Sequence, residues 1–261
     1  MKRFFGDLKK YFKYIRYSAF AELKSEVANS YLSWIWWILE PFCFMLIYVF
    51  ISQVIFKTNE QYFQVFVFLG LTLWTFFNKC IITSVKLVST NKDIVTKVYV
   101  PKWVLLLIKM FNNLFKYFIS IVLAILFMIF YQVPFSWYML WIIPITIVLF
   151  VVTFGFGCIL MHFGVFVEDL YNVTNIGLRL VFYLTGIFYS IPSRMPAPYG
   201  TWLLRLNPIA ALVNDARNSM LYQSLPNFKL LGIWLLLGLL LSIYGIRTIY
   251  KNENSYVKVM K

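Results

Sequence analysis

Long apolar runs alternate with short polar segments along the whole chain. The first run, 33–56, is interrupted by Glu40-Pro41, and the second, 62–84, carries Lys79 as a cation that snorkels toward the surface. The third, 103–131, carries Lys109 and Lys116 in its first half. From Tyr117 to Val167 there is no Asp, Glu, Lys or Arg, which is too long for one crossing. Gln132-Val133-Pro134-Phe135-Ser136 divides it, so a fourth run occupies 137–163. A fifth run covers 176–191 and a sixth 230–246. About 20 apolar residues cross a bilayer. The runs are continuous rather than alternating, which predicts helices and not a barrel. The expected fold is therefore an all-α integral membrane protein with six transmembrane helices, the transmembrane domain spanning 33–250.

The segments between the runs have characters of their own. Residues 1–32 mix Lys2, Arg3, Lys9, Lys10, Lys13 and Arg16 with Phe4, Phe5, Leu8, Tyr11 and Phe12, which predicts an amphipathic helix at the headgroup layer. No cleavable signal peptide is expected there, because no apolar core is long enough. Val85–Pro101 is a polar island. Its Val88, Ile94, Val95 and Val98 predict a short helix, Ser89-Thr90-Asn91 offers N-cap side chains, and Val100-Pro101 ends it. A second polar loop, Glu168 to Asn172, precedes the fifth run. Pro192, Pro196, Pro198 and Gly200 break the chain after it, and Thr201–Tyr222 resumes around Asn207-Pro208 with Arg205, Asp215 and Arg217. That stretch is too polar to face lipid and predicts re-entrant or interfacial helices. Residues 251–261 form a polar, basic tail.

Composition supports the membrane class: 61% of residues are hydrophobic and only 13% charged, against about 25% in soluble domains. A net charge of +14 would suit nucleic acid, but the cations cluster at the ends of apolar runs. With both termini inside, the inside segments 1–32, 79–102, 164–179 and 247–261 hold 17 Lys/Arg, and the outside segments hold 5. That asymmetry predicts cytoplasmic termini, a cytoplasmic polar island and an extracellular proline-broken segment.

Chemistry-bearing residues are sparse. Cys43, Cys80 and Cys158 are isolated thiols with no disulfide framework or zinc spacing. His162 is the only histidine and reads as structural. Neither a catalytic nor a metal site is expected. Gly-Lys never occurs, so there is no phosphate-binding loop, and five of the six runs lack any Asp or Glu. Pumping would require energy from another chain.

Several motifs stand in register. They are Ser30-Tyr31-Leu32-Ser33-Trp34-Ile35-Trp36-Trp37-Ile38-Leu39-Glu40-Pro41, Gly70-Leu71-Thr72-Leu73-Trp74-Thr75-Phe76-Phe77, Tyr99-Val100-Pro101-Lys102, Ile187-Phe188-Tyr189-Ser190, and Asn207-Pro208 with Leu212-Val213 and Arg217. Together they resemble the ABC-2 type permeases that export lipid-linked polysaccharides, O-antigen, capsule and teichoic acids. Ser33 departs from the glycine usual in the first motif. The resemblance implies a half-transporter in the bacterial cell membrane that pairs with a second copy and two ATP-binding subunits. It implies an undecaprenyl-linked glycan or polyol-phosphate substrate. ATP and Mg would be bound by the partner, with no cofactor in this chain.

Within that frame, Asn91, Lys92, Asp93, Ile94 and Val95 form the candidate coupling helix to the ATPase. Trp34, Trp37, Pro41, Phe44 and Tyr48 recur every three or four residues on one helical face. With Trp74, Phe77, Phe182 and Tyr189 their rings form a candidate aromatic path for sugars; helix packing and membrane-interface anchoring are the competing role. Lys109 and Lys116, seven residues apart, and Lys13 and Arg16 are candidate contacts for a lipid pyrophosphate, or cations that only snorkel. Two alternatives stand: an ABC-2 permease for a small drug or lipid, and a membrane-bound lipid-phosphate enzyme, for which His162 with Glu168-Asp169 is thin support. On the charge asymmetry, a reporter fused after Lys261 reads as cytoplasmic and one inserted at Ala197 as external; both on one side would refute the six-crossing arrangement.

Overall fold

The structure, a computed structural model, describes residues 2–28, 33–51 and 60–259. All regular elements among the described residues are helices. In chain order they are α1 (Lys2–Ala28), α2 (Ser33–Phe50), α3 (Phe63–Thr90), α4 (Lys92–Lys97), α5 (Lys102–Phe130), a 3-10 turn (Trp137–Trp141) leading into α6 (Ile142–Phe163), α7 (Leu170–Leu184), α8 (Ile191–Arg194), α9 (Tyr199–Leu206), α10 (Pro208–Met220), α11 (Phe228–Lys251) and α12 (Glu253–Val259). Among the described residues, four helices are long and apolar enough to cross a membrane: α3, α5, α6 with its 3-10 turn, and α11. The chain is thus a multi-pass membrane protein. The remainder of the 33–56 run, beyond Ile51, lies outside the described residues.

The core forms around α3, whose every residue from Val65 to Trp74 is buried. At 28 residues it extends about 42 Å. It packs against α2, α5, α6, α7 and α10. A segment that is apolar all round belongs in the centre of a bundle, and Val65–Trp74 of α3 is nearly so.

The pair α6–α11 packs by a different rule. Small residues let the two backbones approach: a Cβ added to Gly155 would lie 2.9 Å from the Gly238 carbonyl oxygen, and one added to Gly245 would lie 2.6 Å from Cys158 Cβ. Close approach of this kind is how helices associate in lipid, where burial of apolar surface supplies little drive. Ser242, between Gly238 and Gly245 of α11, returns its hydroxyl to the Gly238 carbonyl at 2.7 Å.

The fifth apolar run departs from its expected bounds. Its helix starts at Leu170, six residues before the expected 176, and stops at Leu184. Fifteen residues extend only about 23 Å, short of a bilayer core. The chain turns at Gly186, with φ +67°, where an added Cβ would strike the Ile191 side chain. Apolar Ile187 and Phe188 continue the run past this break, which is why hydropathy conceals it.

Arg217 holds the break in place. It donates from Nε to the Phe66 carbonyl at 3.1 Å, from Nη1 to Gly186 and from Nη2 to Ile187 at 2.8 Å each. Its guanidinium lies 3.4 Å from the centroid of the Phe66 ring. Arg217 is carried by α10, which starts at Pro208 behind the Asn207 side chain; that side chain accepts from the Ile209 and Ala210 backbone N–H groups. The Thr201–Tyr222 stretch expected to be re-entrant or interfacial forms α9 and α10, with α10 buried against α3 and α6.

Two further expectations change at the opposite end. Ser89, Thr90 and Asn91 do not cap the short helix. Ser89 and Thr90 donate to the Lys86 carbonyl at 2.9 Å, and Asn91 Nδ2 to the Leu87 carbonyl at 2.8 Å. They satisfy the last carbonyls of α3, which continues six residues past the expected 84. The tail also folds: α12 buries Tyr256, whose hydroxyl shares a 2.7 Å hydrogen bond with His162 Nδ1. His162 thus has the structural role expected of it.

Replacing Gly238 by Leu forces α6 and α11 apart and lowers stability by about 1–3 kcal/mol. Gly232→Leu on the same helix, where nothing lies within 4 Å of an added Cβ, leaves it unchanged. Thermal unfolding of the two purified variants, followed by size-exclusion recovery, checks the difference.

Candidate functional site

Helices α2, α3, α5 and α7 enclose a cleft of about 850 Å³. Its aromatic half comes from α2, α3 and α7. Phe44 and Tyr48 are one turn apart on α2, with nearly parallel rings 6.4 Å apart. Tyr48 lies 4.0 Å from Phe188 and 6.2 Å from Phe182, and Phe182 lies 5.4 Å from Trp74. Pro41 lines the same wall. Having no N–H, it leaves the Trp37 carbonyl without its usual helical donor.

The other half is polar. Lys79, Lys116 and Arg179 line it together with Asn78, Asn113 and Asn175. Two of the cations are paired. Lys79 Nζ lies 2.8 Å from Glu40 Oε2, so Lys79 is ion-paired rather than simply snorkelling. Lys116 Nζ lies 2.6 Å from Glu26 Oε2 and 5.5 Å from the centroid of the Trp37 ring. Arg179 is exposed and has no ion-pair partner among the described residues.

The candidate residues sort by geometry. Trp37, Phe44, Tyr48, Trp74, Phe182 and Lys116 line the one cleft. Phe77 is buried beside Trp74 and stays outside it; Tyr189 turns its hydroxyl to the Tyr183 carbonyl at 3.0 Å. The side chain of Trp34 lies outside the described residues. Lys109 pairs with Glu22 of α1, away from the cleft, and Lys13 and Arg16 are exposed on α1. As cleft residues, sequence reading missed Asn78, Lys79, Asn113, Asn175, Arg179 and Tyr183. The α7 members were legible in principle: Asn175, Arg179 and Phe182 follow the spacing of one helical face.

The candidate coupling segment is α4, at the end where both termini converge. Lys92, Asp93 and Ile94 are exposed, whereas Val95 is buried in the core and is not part of an outward docking surface. The exit from α4 is clamped. Tyr99 donates to Glu253 at 3.0 Å, and Arg3 bonds both Tyr99 and Glu253. Burial, reinforced by the Glu253 carboxylate, holds the Tyr99 phenol above its ordinary pKa. Trp103 donates to the Tyr250 hydroxyl at 3.0 Å, which donates to Asp7 at 2.7 Å. These bonds tie α1, the α4–α5 link, α11 and α12 into one polar knot.

Residues 15–221, from the middle of α1 through α10, match the family described as ABC-2 type transporter. The chain belongs to the ABC-2 type transporter family. As an ABC-2 permease it is a transport subunit and not an enzyme, and ATP hydrolysis is carried out by a separate ATP-binding subunit. Among curated relatives, two O-antigen export system permease proteins RfbA of Klebsiella pneumoniae are 25% and 27% identical over 240 and 242 residues, covering 92% of each chain. A protein of the same name from Myxococcus xanthus is 27% identical over 207 residues, covering 79% of each chain. The ABC-2 match takes in all four helices that line the cleft.

Proposed function

We propose that this chain is the permease of an ATP-driven exporter that moves a lipid-linked polysaccharide from the cytoplasmic to the outer face of the bacterial cell membrane. The observation that carries the reading is the cleft itself, an aromatic wall continuous with a basic, amide-lined end. Flat rings offer sugar faces broad apolar contact without directional bonds, so a chain of sugars slides past them rather than lodging. The three relatives, each an O-antigen export permease, support the same substrate class. The undecaprenyl carrier, and teichoic acid or capsule as cargo, belong to this proposal.

One chain provides one cleft open on a side, and a second copy about a two-fold axis is the commonest way to close such a path. Two ATP-binding subunits, carrying the ATP and Mg, then dock on the end where α4, α1 and α12 meet, with both termini cytoplasmic. Ile94 supplies the apolar contact there, and Lys92 and Asp93 set its orientation by charge. Lys13 and Arg16, exposed on α1, face the anionic headgroups. Lys109, held by Glu22, anchors α1 to α5.

Trp37→Ala and Tyr48→Ala each reduce export of the glycan about tenfold or more, the effect of one lost contact of ~1.4 kcal/mol, while the protein still inserts and binds its ATPase. Unchanged export in correctly inserted variants would reduce these rings to packing. Export is read as surface glycan on cells. Separately, Asp93→Lys with Ile94→Asp, both exposed positions, weakens co-purification of the ATPase subunit and lowers export, with insertion intact. Normal co-purification would remove α4 from the contact.

A further inference from the structure

The C-terminal helix α12 is gripped at two points by segments far from it in sequence. At its start, Glu253 accepts hydrogen bonds from Tyr99 at 3.0 Å and from Arg3 at 3.1 Å. Three residues on, Tyr256 is buried, shares a 2.7 Å hydrogen bond with His162 Nδ1, and sets its ring 5.9 Å from that of Phe166. Tyr99 belongs to the exit of α4 and Arg3 to α1, whereas His162 ends α6 and Phe166 lies in the connection to α7. One short helix therefore joins the α3–α5 connection to the α6–α7 connection. Arg3, Asp7, Tyr250, Glu253 and Tyr256, which build this junction, all lie outside the residues 15–221 that match the family.

The grip is firm. The Glu253 side chain is only 13% exposed, and hydrogen bonds to a carboxylate are the strong ones. The Tyr256 hydroxyl, buried without its histidine, would be left unsatisfied. The support behind α12 is also rigid. It follows α11 after Asn252, whose side chain donates to the Thr248 carbonyl at 2.8 Å, and α11 is close-packed on α6 at Gly155, Gly238 and Gly245. Tyr250, at the end of α11, bonds Trp103 and Asp7, and the Arg3 guanidinium lies 4.3 Å from the centroid of its ring. By contrast α4 has six residues and leads into extended backbone at Val98, which transmits a push poorly by itself.

We propose that Glu253 and Tyr256 are positioning residues that make α12 a yoke between the two connections. A displacement of α4 passes through Tyr99 and Glu253 to α12, and through Tyr256 to His162 and the α6–α7 connection. The first connection leads into α3 and α5, the second into α7, and all three helices wall the cleft. The yoke thus delivers one stroke to the α5 and α7 sides together, along bonded contacts. It rests on the reading that the ATP-binding subunit docks at this end of the bundle.

The test uses the full-length permease co-expressed and purified with its ATP-binding subunit. Glu253→Ala and Tyr256→Phe each lower surface glycan about tenfold or more, while the subunit still co-purifies and hydrolyses ATP at a rate close to that of the unaltered complex. The double reversal Arg3→Glu with Glu253→Arg recovers export that each single reversal loses. A merely structural role predicts parallel loss of inserted protein, co-purification, hydrolysis and export, and that pattern overturns the yoke, as does unchanged export. Loss of co-purification in the α12 variants alone would make α12 a docking surface and overturn it too. Hydrogen exchange on the purified permease without its partner tests the transmission directly. Tyr256→Phe, altered only on the α6 side, raises amide exchange at 164–169 and also at 98–100; a rise confined to 164–169 overturns the yoke. That result is independent of docking, whose own failure appears as normal co-purification in the Asp93→Lys, Ile94→Asp protein.

Discussion

An ammonium group placed along a membrane-spanning helix requires a counter-ion, and that requirement organises this protein. Lys79 on α3 and Lys109 and Lys116 on α5 have no acid on their own helices within reach. Each takes one from the N-terminal part of the chain: Glu40 from α2, Glu22 and Glu26 from α1. The amphipathic helix is consequently fastened to α5 by two ion pairs one helical turn apart, and its Ile15, Ala19 and Leu23 are buried on the same side. With α2 held by α3 in the same way, a cleft opens between α2, α3, α5 and α7. The walls of the candidate path are thus positioned by these ion pairs together with the apolar contacts of Ile15, Ala19 and Leu23 on α1 and Met45 on α2.

The far end of the bundle is fixed by a different device. Arg217 is almost entirely buried and has no carboxylate partner within bonding distance among the described residues. Three backbone carbonyls take that role, two of them from the break after α7. One side chain so defines where α7 ends and where Phe182 and Phe188 sit relative to Tyr48. At the near end, the knot of Arg3, Tyr99, Glu253, Tyr250 and Asp7 links the exit of α4 to α1 and α12. Movement imposed on α4 by a bound ATPase would reach α1, and through the ion pairs the cleft, along bonded contacts rather than by bending a single helix.

Much of this was legible in the residues. Apolar runs of bilayer length, separated by charged segments, identify membrane helices because lipid accepts little else. Polar content identified Thr201–Tyr222 as re-entrant or interfacial, since Arg205, Asp215 and Arg217 make it too polar to face lipid. The three- and four-residue spacing of Trp37, Phe44 and Tyr48 placed them on one face, and backbone geometry alone guarantees that. Five motifs in register, from Ser30 to Arg217, carried the resemblance to the ABC-2 type permeases, and at two of them the fold needs the residue found: Gly70, where an added Cβ would crowd Arg217, and Asn207-Pro208, which starts α10.

Tertiary structure alone decided the rest. Composition could not show that α7 stops at Leu184, because the carbonyls freed by that break are satisfied by an arginine some 30 residues away in sequence. It could not show that Ser89, Thr90 and Asn91 serve the helix before them, since the same side chains cap in either direction. Nor could it pair Lys79 with Glu40, or bring Arg179 into one cleft with Lys116, because one-dimensional spacing carries no information about which helices become neighbours. Local pattern determined what each segment is; the need to satisfy buried charge and backbone determined where each segment lies.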